Sequence, residues 1–143
     1  MEADSPVHLR HTLVPDDIAG IARLWVENGW GSADAEGEEQ VRKVLAGTSW
    51  IAIAEVDGRF AGYARALTDG VVVTYLVEIA VVAELQRQGV GTALVRSCLS
   101  TFAHTALYAD AGPLALGLLA RHGIVPRPAY YTACAKGPQR SAA

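Results

Sequence analysis

The sequence predicts an α+β fold: one mixed, mostly antiparallel sheet flanked by about four helices. Three observations predict it. Asp57-Gly58 joins two strand-like runs and is the strongest local hairpin signal in the chain. Residues 71–82 form the longest strand-like run, almost continuously apolar, as expected of a strand covered on both faces. Gly89 and Gly91 then lead into the best helical pattern and a further strand, so an antiparallel meander passes into a βαβ unit.

In chain order, residues 7–14 have modest strand character. Pro15-Asp16-Asp17 opens a helix with Asp16 or Asp17 as its cap, and Ile18, Ile21, Ala22 and Trp25 follow on one face. That helix ends near Asn28-Gly29. Residues 31–37 read as a small acidic loop, and 38–45 as a short helix with Val41, Val44 and Leu45 inward. Runs 50–56 and 59–67 are the hairpin strands, and Thr68-Asp69-Gly70 turns the chain into 71–82. Over 89–103, Val90, Leu94, Val95, Cys98, Leu99 and Phe102 share one helical side. Residues 105–109 are a short strand. Pro113 is placed to start a last helix, Leu114, Leu118 and Leu119 give it an apolar face, and Gly123 can end it. Residues 124–125 and 130–135 read as two short strands around Pro126-Arg127-Pro128.

The 143 residues fit a single domain spanning 1–143, with a core over 7–135 and a flexible polar tail over 136–143. Hydrophobic residues at 51% and charged residues at 19% exclude a disordered chain. A net charge of −3 gives no reason to expect nucleic acid as a partner. The acidic start has no apolar stretch of a signal peptide, and no apolar run is long enough for a membrane span. Cys98 and Cys134 lack CxxC spacing and are expected as buried free thiols of a cytoplasmic protein. The histidines have no metal-ligand spacing, and no metal is expected.

Strand, glycine-rich turn and helix together present free backbone N–H groups that can hold an anion. Here they belong to Arg87, Gln88, Gly89, Val90, Gly91 and Thr92. The two glycines let phosphate oxygens approach the backbone, and Thr92 can add a hydroxyl. No Lys-Ser/Thr follows, which excludes a P-loop. Leu94 stands where a dinucleotide fingerprint needs its third glycine.

Gln86, Gly89 and Gly91 in the spacing Q-x-x-G-x-G resemble the acetyl-coenzyme A motif of the GCN5-related N-acetyltransferases (GNAT). The order of elements is similar over 7–135. The resemblance implies acetyl-CoA as co-substrate and a sheet whose fourth and fifth strands splay apart. It further implies that the pantetheine arm pairs with Ile79, Ala80 and Val81, with the Val81 amide polarising the acetyl carbonyl. Glu78, the one charge inside 71–82, is the candidate base and substrate contact, or else a structural partner of Arg65. The tyrosine that serves as general acid in the family falls at Leu119, and its usual asparagine at Gly112. Tyr108, Tyr130 and Tyr131 are the other candidates, Tyr130 the catalytic one, unless water protonates the thiolate. Trp30 is expected to line the acceptor site. Asp34, Glu36, Glu38 and Glu39 suit a cationic amine or are a plain solvated loop. The implied reaction is direct transfer, in a ternary complex, to a primary amine of a small molecule or a protein N-terminus. The alternative is a catalytically degenerate acyl-CoA-binding domain. A homodimer with its seam at 124–135 is a further expectation.

Overall fold

The computed structural model describes residues 6–135. Strands β1 (Val7–Arg10), β2 (Trp50–Val56), β3 (Arg59–Thr68) and β4 (Val73–Val81) pair antiparallel in sequence order, and β5 (Ala106–Ala109) adds to β4 in parallel. Helices α1 (Pro15–Glu27) and α2 (Ala35–Ala46) cover one face. Helix α3 (Val90–Thr101) covers the other, with α4 (Pro113–Arg121) beside it.

Side-chain alternation along the central strands divides the core between these faces. Ala52, Ala54, Ala64 and Ala66 are small enough to let Val90, Leu94, Val95 and Cys98 of α3 lie close to the sheet. On the other side Ile53, Tyr63 and Ala80 pack against Ile21, Leu24 and Trp25 of α1 and Val41 and Leu45 of α2.

Several expectations are corrected. Helix α1 starts at Pro15 with Val14 as its cap, and neither Asp16 nor Asp17 is the capping residue. Asp17 instead sits in the first turn, accepts the Val14 N–H at 2.8 Å, and is gripped by both terminal nitrogens of Arg10 at 3.0 and 2.8 Å. Helix α2 begins at Ala35, inside the expected loop, because the Asp34 carboxylate accepts the Gly37 N–H at 3.0 Å and caps it. Val71 and Val72 belong to the turn before β4 and are exposed. Asp69 Oδ1 accepts the N–H groups of Val71, Val72 and Val73, which favours a tight turn over ladder pairing. Among the described residues, 124–125 and 130–135 form no strand. Pro126 and Pro128 have no N–H to donate, and Tyr130 turns back onto the Arg127 carbonyl. Cys134 is exposed, unlike buried Cys98. The tail 136–143 lies outside the described residues.

One departure from regular pairing shapes the molecule. β5 matches β4 only from Val73↔Ala106 to Leu76↔Ala109, while β4 runs on to Val81 with β3 alone at its side. The sheet forks there. Opposite the fork, β3 carries Gly62 against Val81; a Cβ on Gly62 would lie 2.5 Å from the Ala80 carbonyl oxygen. Glycine is therefore required for β3 to follow β4 to its end.

Candidate active site

Backbone geometry supplies the first half of the site. The Val82 N–H bonds to the Ala61 carbonyl on β3. Alternation then turns the N–H and C=O of Ile79 and Val81 away from β3 and into the fork. A lone strand edge there offers donors and acceptors to an extended ligand. The Gln86 side chain reaches back to the Val81 carbonyl at 3.2 Å, tying the turn to the strand end.

From Val81 a single 3-10 turn, Ala83–Leu85, leads to the glycine turn. Arg87 (φ +65°) and Gly89 (φ +85°) both take left-handed backbone, which brings the chain abruptly into α3 with Gly89 as its cap. The first intrahelical bond here runs from the Ala93 N–H to the Gly89 carbonyl, so the N–H groups of Val90, Gly91 and Thr92 are left for an outside acceptor. Space beyond Gly89 is open, with no atom within 4 Å of where a Cβ would stand. Gly91 is different: its missing Cβ makes room for Leu118, whose Cδ2 would lie 2.9 Å away. The Val90 side chain is core. The Gln88 amide bonds to the Glu84 carbonyl at 3.3 Å and stiffens the turn.

Side chains supply the second half. Glu78 pairs in register with Arg65 across β3 and β4. Its Oε1 accepts from Arg65 Nη2 at 2.9 Å. Its Oε2 accepts from the Tyr63 hydroxyl at 2.5 Å and from Trp25 Nε1 at 3.2 Å. Trp25 Nε1 is shared with the Tyr63 oxygen at 2.7 Å. Tyr63 is fully buried, and desolvation, followed by the adjacent Glu78 charge, holds its hydroxyl far above the ordinary tyrosine range. The Glu78 side chain keeps 15% of its surface exposed. Neither Tyr63 nor Trp25 was legible as a site residue, since a tyrosine and a tryptophan at core positions read as packing.

Trp30 is half exposed; its N–H bonds to the Trp25 carbonyl, and Gly31 lies directly against the Trp25 ring. It thus sits in the loop after α1 that packs on Trp25, one member of the Glu78 network. The acidic residues nearby are mostly engaged. Asp34 is held below the usual carboxylate range by the Gly37 N–H and then the Ser32 hydroxyl. Arg42 reaches Glu38 at 3.7 Å and Glu39 at 3.6 Å. Leu119, at the position of the expected acid, is buried and apolar. Tyr130 is exposed, with the Arg127 guanidinium 3.8 Å above its ring and 5.7 Å from that of Tyr108 on β5. Tyr75 on β4, opposite Tyr108, donates to Asp110 at 2.9 Å just below the fork. Among the described residues no group of three histidine, cysteine or carboxylate side chains could hold a metal ion, and no helix is long and apolar enough to cross a membrane.

A probable acetyltransferase of unknown function from meticillin-resistant Staphylococcus aureus has a similar structure, with TM-score 0.77 and 19% identity over 92% of this chain and 100% of that one. Glucosamine-6-phosphate N-acetyltransferase from Arabidopsis thaliana superposes with TM-score 0.71 at 12% identity, covering 94% and 99%. An aminoglycoside N-acetyltransferase in complex with CoA gives 0.64 at 18%, covering 93% and 98%. At these identities the likeness is one of fold. No curated protein sequence matches the chain. The family model of the acetyltransferase (GNAT) family matches residues 22–123, which include α2, the forked β4, the glycine turn and the Glu78 network. With that match over most of its length, the chain belongs to the acetyltransferase (GNAT) family.

Proposed function

We propose that the protein transfers an acetyl group from acetyl-CoA to a primary amine by direct attack in a ternary complex. The fork between β4 and β5, ending at the glycine turn, is the observation that carries this reading. The diphosphate takes the free N–H groups of Val90, Gly91 and Thr92 together with those of Arg87, Gln88 and Gly89, and the α3 dipole favours its charge. The pantetheine arm pairs along Ile79, Ala80 and Val81. The Val81 N–H, directed into the fork, donates to the thioester oxygen as negative charge develops there.

The neutral amine attacks the thioester carbon, the new C–N bond forms and the C–S bond breaks. The amine proton leaves to Glu78 Oε1, directly or through a water, and the CoA thiolate takes a proton from Tyr130 or from water. Trp30 forms a wall of the acceptor site. Acceptors are small-molecule amines or a protein N-terminus in the cytoplasm. Two copies of the chain meet along 124–135, where Val125, Tyr130 and Tyr131 are exposed and Arg127 reaches Tyr108 of β5, the last strand of the sheet.

Calorimetric titration with acetyl-CoA tests the reading. Saturable binding is expected at about millimolar ligand or below, and its absence sinks the proposal. Glu78→Gln should retain that binding and lower turnover by about a hundredfold, the ordinary worth of a general base. Buried Leu119 favours a second reading, coenzyme binding without transfer. Coenzyme binding with no acetylation across a broad amine panel would decide for it.

A further inference from the structure

Arg65 is nine-tenths buried, and its Nε has no hydrogen-bond partner among the described residues. An unmade bond on a buried guanidinium is costly and calls for a reason. The Nε–H and Nη2–H of an arginine form one fork that ordinarily grips both oxygens of a carboxylate. Here Nη2 holds Glu78 Oε1, but Oε2 already accepts from Tyr63 and Trp25. One Oε2 lone pair takes the Tyr63 hydroxyl and the other faces the Trp25 N–H that is shared with the Tyr63 oxygen, so the second tooth of the fork finds no acceptor. The remaining lone pair of the carboxylate lies on Oε1.

We propose that Tyr63 is a positioning residue which, with Trp25, occupies Glu78 Oε2, prevents a two-pronged Arg65–Glu78 pair, and keeps Oε1 available as the proton acceptor. This rests on Glu78 acting as base. Without Tyr63, one Oε2 lone pair falls free and Arg65 Nε closes onto it. The carboxylate is then locked flat against the guanidinium. The fold gains back one hydrogen bond for the one it lost, while the base loses its freedom to meet the amine.

Tyr63→Phe tests this. The melting temperature should stay within a few degrees of the parent. The KM for acetyl-CoA should be unchanged and kcat should fall about tenfold or more. In NMR of the arginine side chains the Arg65 Nε–H should move downfield and exchange more slowly as its bond forms. Arg65→Lys added to Tyr63→Phe should recover part of the turnover, because an ammonium cannot grip both oxygens. Parental kcat in Tyr63→Phe, or an Nε–H that stays unbonded, overturns the proposal. Acetylation of no amine by the parent protein, with acetyl-CoA still bound, would remove Glu78 as base. The Nε–H shift would then decide the positioning alone.

Discussion

Gly89 stands at the narrowest constraint in the turn, because its φ of +85° is one that other residues adopt only with strain. The space beside its missing Cβ is open. Among the described residues beyond its two chain neighbours, nothing lies within 4 Å of where a Cβ on Gly89 would stand. Gly89→Asp should therefore cost about 1–3 kcal/mol of stability through the backbone and abolish detectable acetyl-CoA binding through exclusion and like charge. Unaltered affinity by calorimetry would show that the diphosphate lies elsewhere. The cysteines divide in the same residue-by-residue way. Burial pushes the Cys98 thiol up to about 11, while Cys134 is exposed. At pH 8 a disulfide reagent should titrate one thiol rapidly in the native protein and two after unfolding.

At the scale of elements, α1 is fixed to the sheet by charge as well as by apolar packing. Asp17 is buried, takes two bonds from Arg10, and accepts the Val14 N–H, while Arg10 Nε reaches Glu55 on β2 at 2.7 Å. Arg10 keeps Glu55 and the Thr12 carbonyl if the Asp17 charge is lost, so the cost falls below that of a fully buried pair. Asp17→Asn should destabilise by about 2–3 kcal/mol, seen as a fall of about 5–10 °C in the thermal midpoint. A shift under 2 °C would mean that solvent already satisfies Arg10. Helix α2 gives a pH signature. Asp34 titrates below its unfolded value of 3.8 because the Gly37 N–H and the Ser32 hydroxyl prefer the carboxylate. Its cap therefore contributes fully above that value and is lost as the pH falls through the lower, folded one. The melting temperatures of the parent and Asp34→Ala should differ at pH 7 and converge below about pH 3.8. A constant gap would remove the charge from the explanation.

Across the whole molecule, the elements legible in the sequence were those set by local periodicity and turn chemistry. Asp57-Gly58 did join a hairpin, and Val90, Leu94, Val95 and Cys98 did face the core as their spacing required. The glycine turn followed the long strand as expected, because a left-handed residue and a helix start are local matters. Glu78 was legible as the one charge in an apolar strand and Arg65 as a partner for it, and the two form an ion pair at 2.9 Å. The final strands failed: 124–125 runs straight into Pro126, and Tyr130 turns back onto the Arg127 carbonyl instead of pairing with a strand. Tyr63 and Trp25 were not legible, because 38 residues separate them and only the packing of α1 on β3 brings the indole to the phenol.

The sequence by itself determined that a glycine turn would lead from the long strand into α3, because a left-handed residue and a helix start are set by residue identity at fixed spacing. Only the tertiary structure decided where the sheet forks and which oxygen of Glu78 remains open. Those depend on where β5 stops matching β4, and on three donors, two from β3 and one from α1, converging on one side chain.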